Sequence, residues 1–368
     1  MKLTVLQENL SKALSNCSRF TTQRAQLPVL GNIKLTTKKT KLILDSTNLE
    51  VSLSISVGAQ IETEGELTVP AKTITEIVSN LGAGQILLEA DKEQLKVSTQ
   101  NFSSTLSGMN ASDFPLIPQK IDETQSLSLP RDEFLSSLAQ VSFAVSQDET
   151  RPILTGVLFL FKKDSLVLVA TDGFRLSQKK IKLEKAFDVD SLVLPRTILS
   201  EVSKLGSESE NLFLNFKKTE NQVVFGLTDT VISSRVLNGE FPDYEKIIPK
   251  TGGTKVQVDK EDLLRAVRLA SVFAKESANI INFGITKDFL KVNAESQTSG
   301  SQKNKIDARV DGEGVEISFN YRFVEDFLHS VKGEDVQMEF SSPNAPGIFT
   351  DPSEESYLHL IMPVKIQS

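Results

Sequence analysis

The chain has 368 residues, 39% hydrophobic and 24% charged, a balance that excludes wholesale disorder and leaves room for two or three buried cores. A net charge of −7 excludes a uniformly basic nucleic-acid coat, because phosphate neutralisation by Lys and Arg drives such binding. The single cysteine, Cys17, excludes an intramolecular disulfide and a cysteine-based metal site.

The opening residues from Met1 lack a basic stretch followed by an apolar run. No later stretch approaches the roughly 18 apolar residues of a membrane span, so a cytoplasmic protein without a membrane partner is expected. Leu6, Leu10, Leu14 and Cys17 then follow helical steps and predict an amphipathic helix with Cys17 in its core. From Leu49 to Val57 apolar and polar residues alternate, which predicts a strand in a sheet with one wet face.

At Leu67 begins a segment, LTVPAKTITEIVSNLG, that returns from Leu192 as LVLPRTILSEVSKLG and more weakly from Ile317 as ISFNYRFVEDFLHSVKG. Pro70, Pro195 and Asn320 hold equivalent places, each 125 residues from the next, a domain-sized period. LPVLGN from Leu27 answers to RPILTG from Arg151, and the Phe-Pro pair at Phe114 answers to the one at Phe241. Boundaries near 121 and 249 divide the chain into 1–121, 122–249 and 250–368, with the Gly252-Gly253 pair read as linker. Each repeat splits into two halves that open with a short strand and an amphipathic helix and continue as strands. Leu135, Leu138 and Ala139 carry the helical stripe in the second repeat, Leu264 and Val267 in the third. Pro70, Pro130 and Pro195 are placed in the first turns of their helices. The fold class is therefore α+β: three repeated domains, each of two β-α-β-β-β halves, with helices packed on antiparallel sheets.

Charge is unevenly distributed in this reading. The expected helices hold Lys12, Arg19, Lys72, Arg131, Arg196, Lys204, Lys260, Arg265, Arg268, Lys275, Arg322 and Lys332 against Glu8, Glu76, Asp132, Glu133, Glu201, Glu261, Asp262, Glu325 and Asp326, a small positive excess on an acidic chain. No catalytic residue is assigned. The two histidines, His329 and His359, sit in no metal or Ser-His motif, and no phosphate-binding glycine loop occurs, so no cofactor or metal is expected. Asp45 and Asp172 are read as structural residues of comparable turns. A secreted repeat scaffold shares the periodicity but does not predict helix-biased positive charge.

The threefold repeat, the TDGFRL turn from Thr171, the FPDY corner from Phe241 and the terminal Met362-Pro363 together resemble the beta subunits of bacterial DNA polymerase III, the sliding clamps. The resemblance runs the length of the chain. It implies a non-catalytic, head-to-tail homodimeric ring of clamp domains around double-stranded DNA, helices inside and sheets outside, tethering the replicative polymerase for processivity. Implied partners are a clamp loader, the DNA polymerase III catalytic subunit, other polymerases, and mismatch-repair and ligation factors.

Carried over position by position, the resemblance implies a partner-peptide pocket at Leu154, Thr171, Gly173, Phe174, Arg175, Leu176, Pro242, Lys246, Ile247, Pro346, Ile361, Met362, Pro363 and Val364. It implies DNA-facing bases at Arg24, Lys72, Arg151 and Arg196, and a dimer interface at Phe102, Val272 and Phe273. In the family a short peptide with a glutamine and hydrophobic residues docks in the pocket. Phe174 stands where histidine is frequent and Lys246 where arginine is, and lysine lacks the planar fork of arginine.

Overall fold

In the computed structural model, which describes residues 1–22, 27–205, 209–249 and 253–365, a strand leads into a helix and then into three antiparallel strands six times over. The first repeat reads β1 (Lys2–Leu6), α1 (Gln7–Ser18), β2 (Asn32–Lys38), β3 (Lys41–Thr47) and β4 (Val51–Thr63), then β5 (Glu66–Pro70), α2 (Ala71–Asn80), β6 (Gln85–Asp91), β7 (Gln94–Ser98) and β8 (Ser103–Ser107). The second reads β9 (Leu127–Pro130), α3 (Arg131–Ser142), β10 (Gly156–Lys162), β11 (Ser165–Thr171) and β12 (Arg175–Lys182), then β13 (Ser191–Pro195), α4 (Arg196–Lys204), β14 (Asn211–Lys217), β15 (Gln222–Leu227) and β16 (Thr230–Arg235). The third reads β17 (Thr254–Asp259), α5 (Lys260–Ala274), β18 (Ile280–Thr286), β19 (Phe289–Ser296), β20 (Gly300–Asp307) and the short β21 (Arg309–Asp311), then β22 (Glu316–Asn320), α6 (Tyr321–Ser330), β23 (Asp335–Phe340), β24 (Gly347–Thr350) and β25 (Tyr357–Ile361).

The prolines close the preceding strands instead of sitting inside the helices. Pro70 is the N-cap of α2, and Pro130 and Pro195 are the last residues of β9 and β13. Asn320 explains why the third copy does without proline: its side chain accepts a hydrogen bond from the Arg322 amide and caps α6 directly. Two helical stripes shift by a position. Leu6 ends β1 and is exposed, so α1 buries Leu10, Ala13, Leu14 and Cys17. In α3 the large Phe134 sets the phase, burying Leu138 and Val141 while Leu135 is half-buried and Ala139 is exposed. Leu264 and Val267 are buried in α5 as expected, and burial pushes the Cys17 thiol up to about 12.

The chain divides into two compact units that cut through the middle repeat: Met1–Arg131 with Thr197–Val236, and Asp132–Arg196 with Leu237–Ser368. In the first unit a twelve-stranded sheet runs β8-β7-β6-β1-β4-β16-β15-β14-β9, with β3, β2 and β5 extending from β4. Strand β16 pairs antiparallel with β4, Val51 opposite Ser234 and Ser52 opposite Ser233. The second unit repeats this joint between β12 and β25, Arg175 opposite Ile361 and Leu176 opposite Leu360, inside a nine-stranded sheet ordered β13-β10-β11-β12-β25-β24-β23-β17-β21. A four-stranded sheet, β20-β19-β18-β22, completes it. Its core is aromatic: Phe319 packs edge-on to Phe283 and Phe349, and Phe327 packs on Phe349 and Tyr357.

Two expectations about the first unit change. The polar side of β4 is not wet, since Ser52 and Ser54 are buried and the Ser52 and Ser233 hydroxyls lie 2.6 Å apart. Asp45 lies inside β3 and not in a turn; it is buried, accepts a hydrogen bond from Gln119 at 2.7 Å, and burial holds its carboxyl above the ordinary range. Leu49, read as the start of the strand, instead occupies the β3–β4 turn with φ +76°. A non-glycine residue pays roughly 1–2 kcal/mol for left-handed backbone, more than the roughly 0.5–1 kcal/mol that glycine loses through its extra freedom in the unfolded chain. Leu49→Gly is therefore expected to melt at an unchanged or higher temperature, and a drop of several degrees by calorimetry would contradict the strain assigned to this turn.

Candidate functional site

Strands β11 and β12 are joined by a turn that Thr171 and Asp172 hold with their side chains. The Thr171 hydroxyl donates to the Arg175 carbonyl at 2.6 Å and accepts from the Gly173 amide at 3.1 Å. The Asp172 carboxylate accepts from the amides of Phe174 and Arg175 at 2.9 and 3.0 Å. Gly173 has φ +93°, and an added Cβ would sit 3.2 Å from an Arg151 nitrogen, so conformation and space both favour glycine. The Phe174 carbonyl then accepts from the Met362 amide at 2.8 Å, which ties the turn to the chain leaving β25. This joint presents Phe174 and Met362 as neighbours, 62% and 38% exposed.

Successive residues of these strands face opposite ways, and the alternation sorts the expected pocket residues. Leu176 and Leu360 belong to one apolar cluster with Leu158, Val167, Val169, Val193 and Tyr244, against which Phe241, Ile248 and Ile348 pack half-buried. Ile361, expected in the pocket, instead belongs to the aromatic core of the third repeat and is fully buried; its neighbour Leu360 joins the apolar cluster around Leu176. The period of two along β25 was the available signal, because it separates Leu358 and Leu360 from Tyr357, His359 and Ile361.

Arg175 faces away from Leu176 in the same manner. Its guanidinium donates to Asp172 at 3.1 Å, to Asp326 of α6 at 2.5 Å and to the Phe143 carbonyl after α3 at 2.8 Å, and it stacks on Phe323 with 4.6 Å to the ring centre. With each of its three nitrogens already bonded within the fold, Arg175 positions the turn. Leu154 is buried and Pro346 half-buried before β24. Pro242, Lys246 and Ile247 are exposed on the corner loop, with Lys246 paired to Asp243 at 2.8 Å. Pro363 and Val364 are half-buried, and the Val364 amide donates to the Ser318 carbonyl at 2.8 Å. A cleft of about 360 Å³ lined by Val167, Tyr244 and Ile248 with Lys162, Gln178 and Lys180 adjoins the cluster.

The basic residues are less concentrated than expected. Arg24 lies outside the described residues. Lys72 is exposed on α2, 3.9 Å from Glu76, and Arg196 is exposed at the start of α4. Arg151 donates to the Asp172 carbonyl at 3.2 Å and pairs with Asp148 at 3.3 Å, which makes it a brace for the β11–β12 turn. Arg19, Lys275 and Lys332 fall just beyond their helices, so within the observed bounds bases and acids balance. Arg19 and Lys204 both pair with Glu201, and Arg268 pairs with Glu325.

Val272 is exposed near the end of α5 and Phe273 packs half-buried on the third-repeat core. Just beyond, Glu276 accepts from the hydroxyls of Ser299, Ser296 and Thr298 at 2.6–2.7 Å, which holds its carboxyl down at about 2 and pins the β19–β20 turn. Phe102 is half-buried in the turn before β8, an edge strand; β20 is an edge as well.

Behind the slot, His359 is fully buried, shares a 2.6 Å hydrogen bond with Ser177 and stacks on Phe327. Burial, aided by the Arg175 charge, pushes it down to about 3. Below its ordinary range near 6.5 the unfolded chain takes up a proton that the folded chain refuses, so stability falls with pH from there towards about 3. A loss of about 2 kcal/mol is expected between pH 6.5 and 5 from this group. Urea unfolding followed at both pH values should show a smaller loss in His359→Gln than in the parent chain; equal losses would contradict the assignment.

Three family descriptions match the chain in order: DNA polymerase III beta subunit, N-terminal domain, at residues 1–118, central domain at 128–243 and C-terminal domain at 245–365. The beta sliding clamp of Staphylococcus aureus is 27% identical over 376 residues and that of Staphylococcus epidermidis 28% over 377, with 99% of each chain covered in both cases. Among solved structures, the Bacillus subtilis DNA polymerase sliding clamp superposes with a TM-score of 0.94 at 26% identity and the Pseudomonas aeruginosa DNA polymerase III beta subunit with 0.93 at 25%, each over the full length of both chains.

Proposed function

Because this chain belongs to the DNA polymerase III beta-subunit family of non-catalytic processivity factors, we propose that it works as a cytoplasmic, head-to-tail homodimeric ring around duplex DNA. Three domains near 1–121, 122–249 and 250–368 supply each subunit's share, with helices lining the ring and sheets outside. The observation that carries the partner-binding reading is the β12–β25 joint. A rigid, side-chain-held turn presents exposed Phe174 and Met362 beside an apolar floor of Leu176 and Leu360, and the corner loop adds Ile247. Aliphatic and aromatic walls with an adaptable methionine suit a short peptide bearing a glutamine and hydrophobic residues. Polymerases, the loader and repair or ligation factors that carry such a segment compete for it.

Charge balance along the helices supports sliding. Enclosure supplies retention, and bases already engaged with Glu201 or Glu325 make few lasting phosphate contacts to brake movement. The edge strands β8 and β20 have unpaired backbone groups, and Phe102, Val272 and Phe273 lie beside them, which suits edge pairing between two subunits.

Leu176 is fully buried, so its truncation to alanine also costs roughly 2–5 kcal/mol of core packing. The cleaner test removes exposed groups. Phe174→Ala with Met362→Ala is expected to weaken a glutamine-bearing hydrophobic peptide at least about tenfold in a titration while leaving the solution mass unchanged, and undiminished affinity would sink the slot assignment. Loaded onto a nicked circle, the protein should stay bound until the circle is linearised; retention on open-ended DNA would rule out topological enclosure.

A further inference from the structure

A hairpin turns at an equivalent place in the first half of each repeat. The carbonyls of Thr40, Asp164 and Asp288 accept from the amides of Ala59, Leu183 and Ala308 at 2.9, 2.8 and 3.0 Å, which sets the three tips in correspondence. The second and third tips, Lys162-Lys163-Asp164-Ser165 and Thr286-Lys287-Asp288-Phe289, each include an acid, whereas the first, Lys38-Lys39-Thr40-Lys41, has three lysines and no acid. Lys38 stands directly opposite Lys41, where the other tips set Lys162 opposite Ser165 and Thr286 opposite Phe289. Like charges in that position repel and destabilise a hairpin, so the first tip keeps its charge at a cost.

That basic tip borders a cavity of about 730 Å³ within the first unit, whose other walls are the β15–β16 turn and the connector that follows the first repeat. Buried Ile43, Leu227 and Val231 and half-buried Ile121 give it an apolar lining. The connector is anchored on both sides of Lys120. Gln119 donates to Asp45 at 2.7 Å, and Ile121 packs where Gly226 leaves room, since an added Cβ there would collide with it. Lys120 is thereby held at the cavity as a fourth lysine. Of the acids in the lining, Asp229 pairs with Lys41 at 2.7 Å and Glu64 accepts from the Lys39 amide at 2.9 Å. Lys38, Lys39 and Lys120 make no ion pair among the described residues, and against them stands Glu123, exposed on the connector.

We propose that this cavity binds a short acidic peptide segment of a partner protein, one aliphatic side chain seated on the apolar lining and its carboxylates paired with Lys38, Lys39 and Lys120. Lysines without partners beside a partly enclosed cavity complement carboxylates, and a ligand acid also relieves the repulsion between Lys38 and Lys41. The buried aliphatic lining rewards an apolar side chain over a bare anion. None of the described residues lining the cavity is aromatic, so it has no platform on which a nucleic-acid base would stack. The cavity shares no residue with the β12–β25 slot, and the two sites are tested separately.

The probe is the capped, fluorescein-labelled pentapeptide Glu-Glu-Leu-Glu-Glu, titrated into the full-length protein. It should bind saturably and weaken roughly tenfold or more with Lys38→Glu and Lys120→Glu combined. Lys163→Glu with Lys287→Glu makes the same change of charge at the other two tips and should leave the affinity unmoved, as should Phe174→Ala with Met362→Ala. Glu-Glu-Ser-Glu-Glu should bind at least about threefold more weakly than the parent peptide, and Lys-Lys-Leu-Lys-Lys not at all. Lys38→Glu turns a repulsive cross-strand pair into an attractive one and Lys120 is exposed, so the double variant keeps the fold, which its melting curve checks. The peptide substitutions test the site on the unaltered protein. No saturable binding, equal losses in the two lysine pairs, or a serine peptide that binds as well as the leucine one each overturns the proposal. So does loss of binding with Phe174→Ala and Met362→Ala, or a thymidine pentanucleotide of equal charge that displaces the peptide as well as unlabelled peptide does.

Discussion

The first half of the first repeat, both halves of the second and the last half of the third end in a strand whose free edge needs a partner, and the pairing of those edges organises the two sheets. A row of backbone amides and carbonyls facing nothing is costly to bury and hazardous to expose. The chain resolves this by lending strands across its repeats: β16 of the second repeat closes on β4 of the first, and β25 of the third closes on β12 of the second. The two joints have the same register and the same side-chain-held turn at their ends. The slot floor, the exposed Phe174 and Met362, and the braces of Arg151 and Arg175 are all consequences of where those strands meet.

Identical backbone frames carry opposite surfaces. Around β12–β25 the cluster face holds Val169, Leu176 and Leu360; at the corresponding places around β4–β16 stand Asp45, Ser52 and Ser233. The paired hydroxyls satisfy Ser52 and Ser233, whereas Gln119 reaches only one oxygen of Asp45 and leaves the other buried without a hydrogen-bond partner, a cost seen in its raised carboxyl. Duplication supplied the geometry, and side-chain replacement set what each frame can hold.

Much of the architecture was legible in the residues because it depends on periodicity. The β-α-β-β-β halves follow from alternation and helical stripes, and the 125-residue spacing of Pro70, Pro195 and Asn320 marks the repeats. What was hidden depends on partners distant in sequence. Ser52 looks solvent-facing until β16 is known to cover it, and Arg175 looks like a free donor until Asp326 arrives from α6. Leu6 and Ala139 were misplaced because a stripe of leucines and alanines fixes a helix but not its phase, which Phe134 and the length of β1 decide. Ile361 was misassigned for a simpler reason: a motif names neighbours in sequence, whereas a strand sends neighbours to opposite faces.

The strand exchange makes covalent order and cohesion different things. Sequence divides the chain into three, but hydrogen bonds divide it into two, with the middle repeat contributing to both. A single cut in the connector around residues 119–126 therefore does not free the first repeat, because β4 still grips β16. The cleaved pieces remain one particle, and separately made fragments split at that point have a template on which to reassemble. Excised alone, the middle repeat would bare β12 and β16 at once, two edges with nothing to pair but copies of themselves.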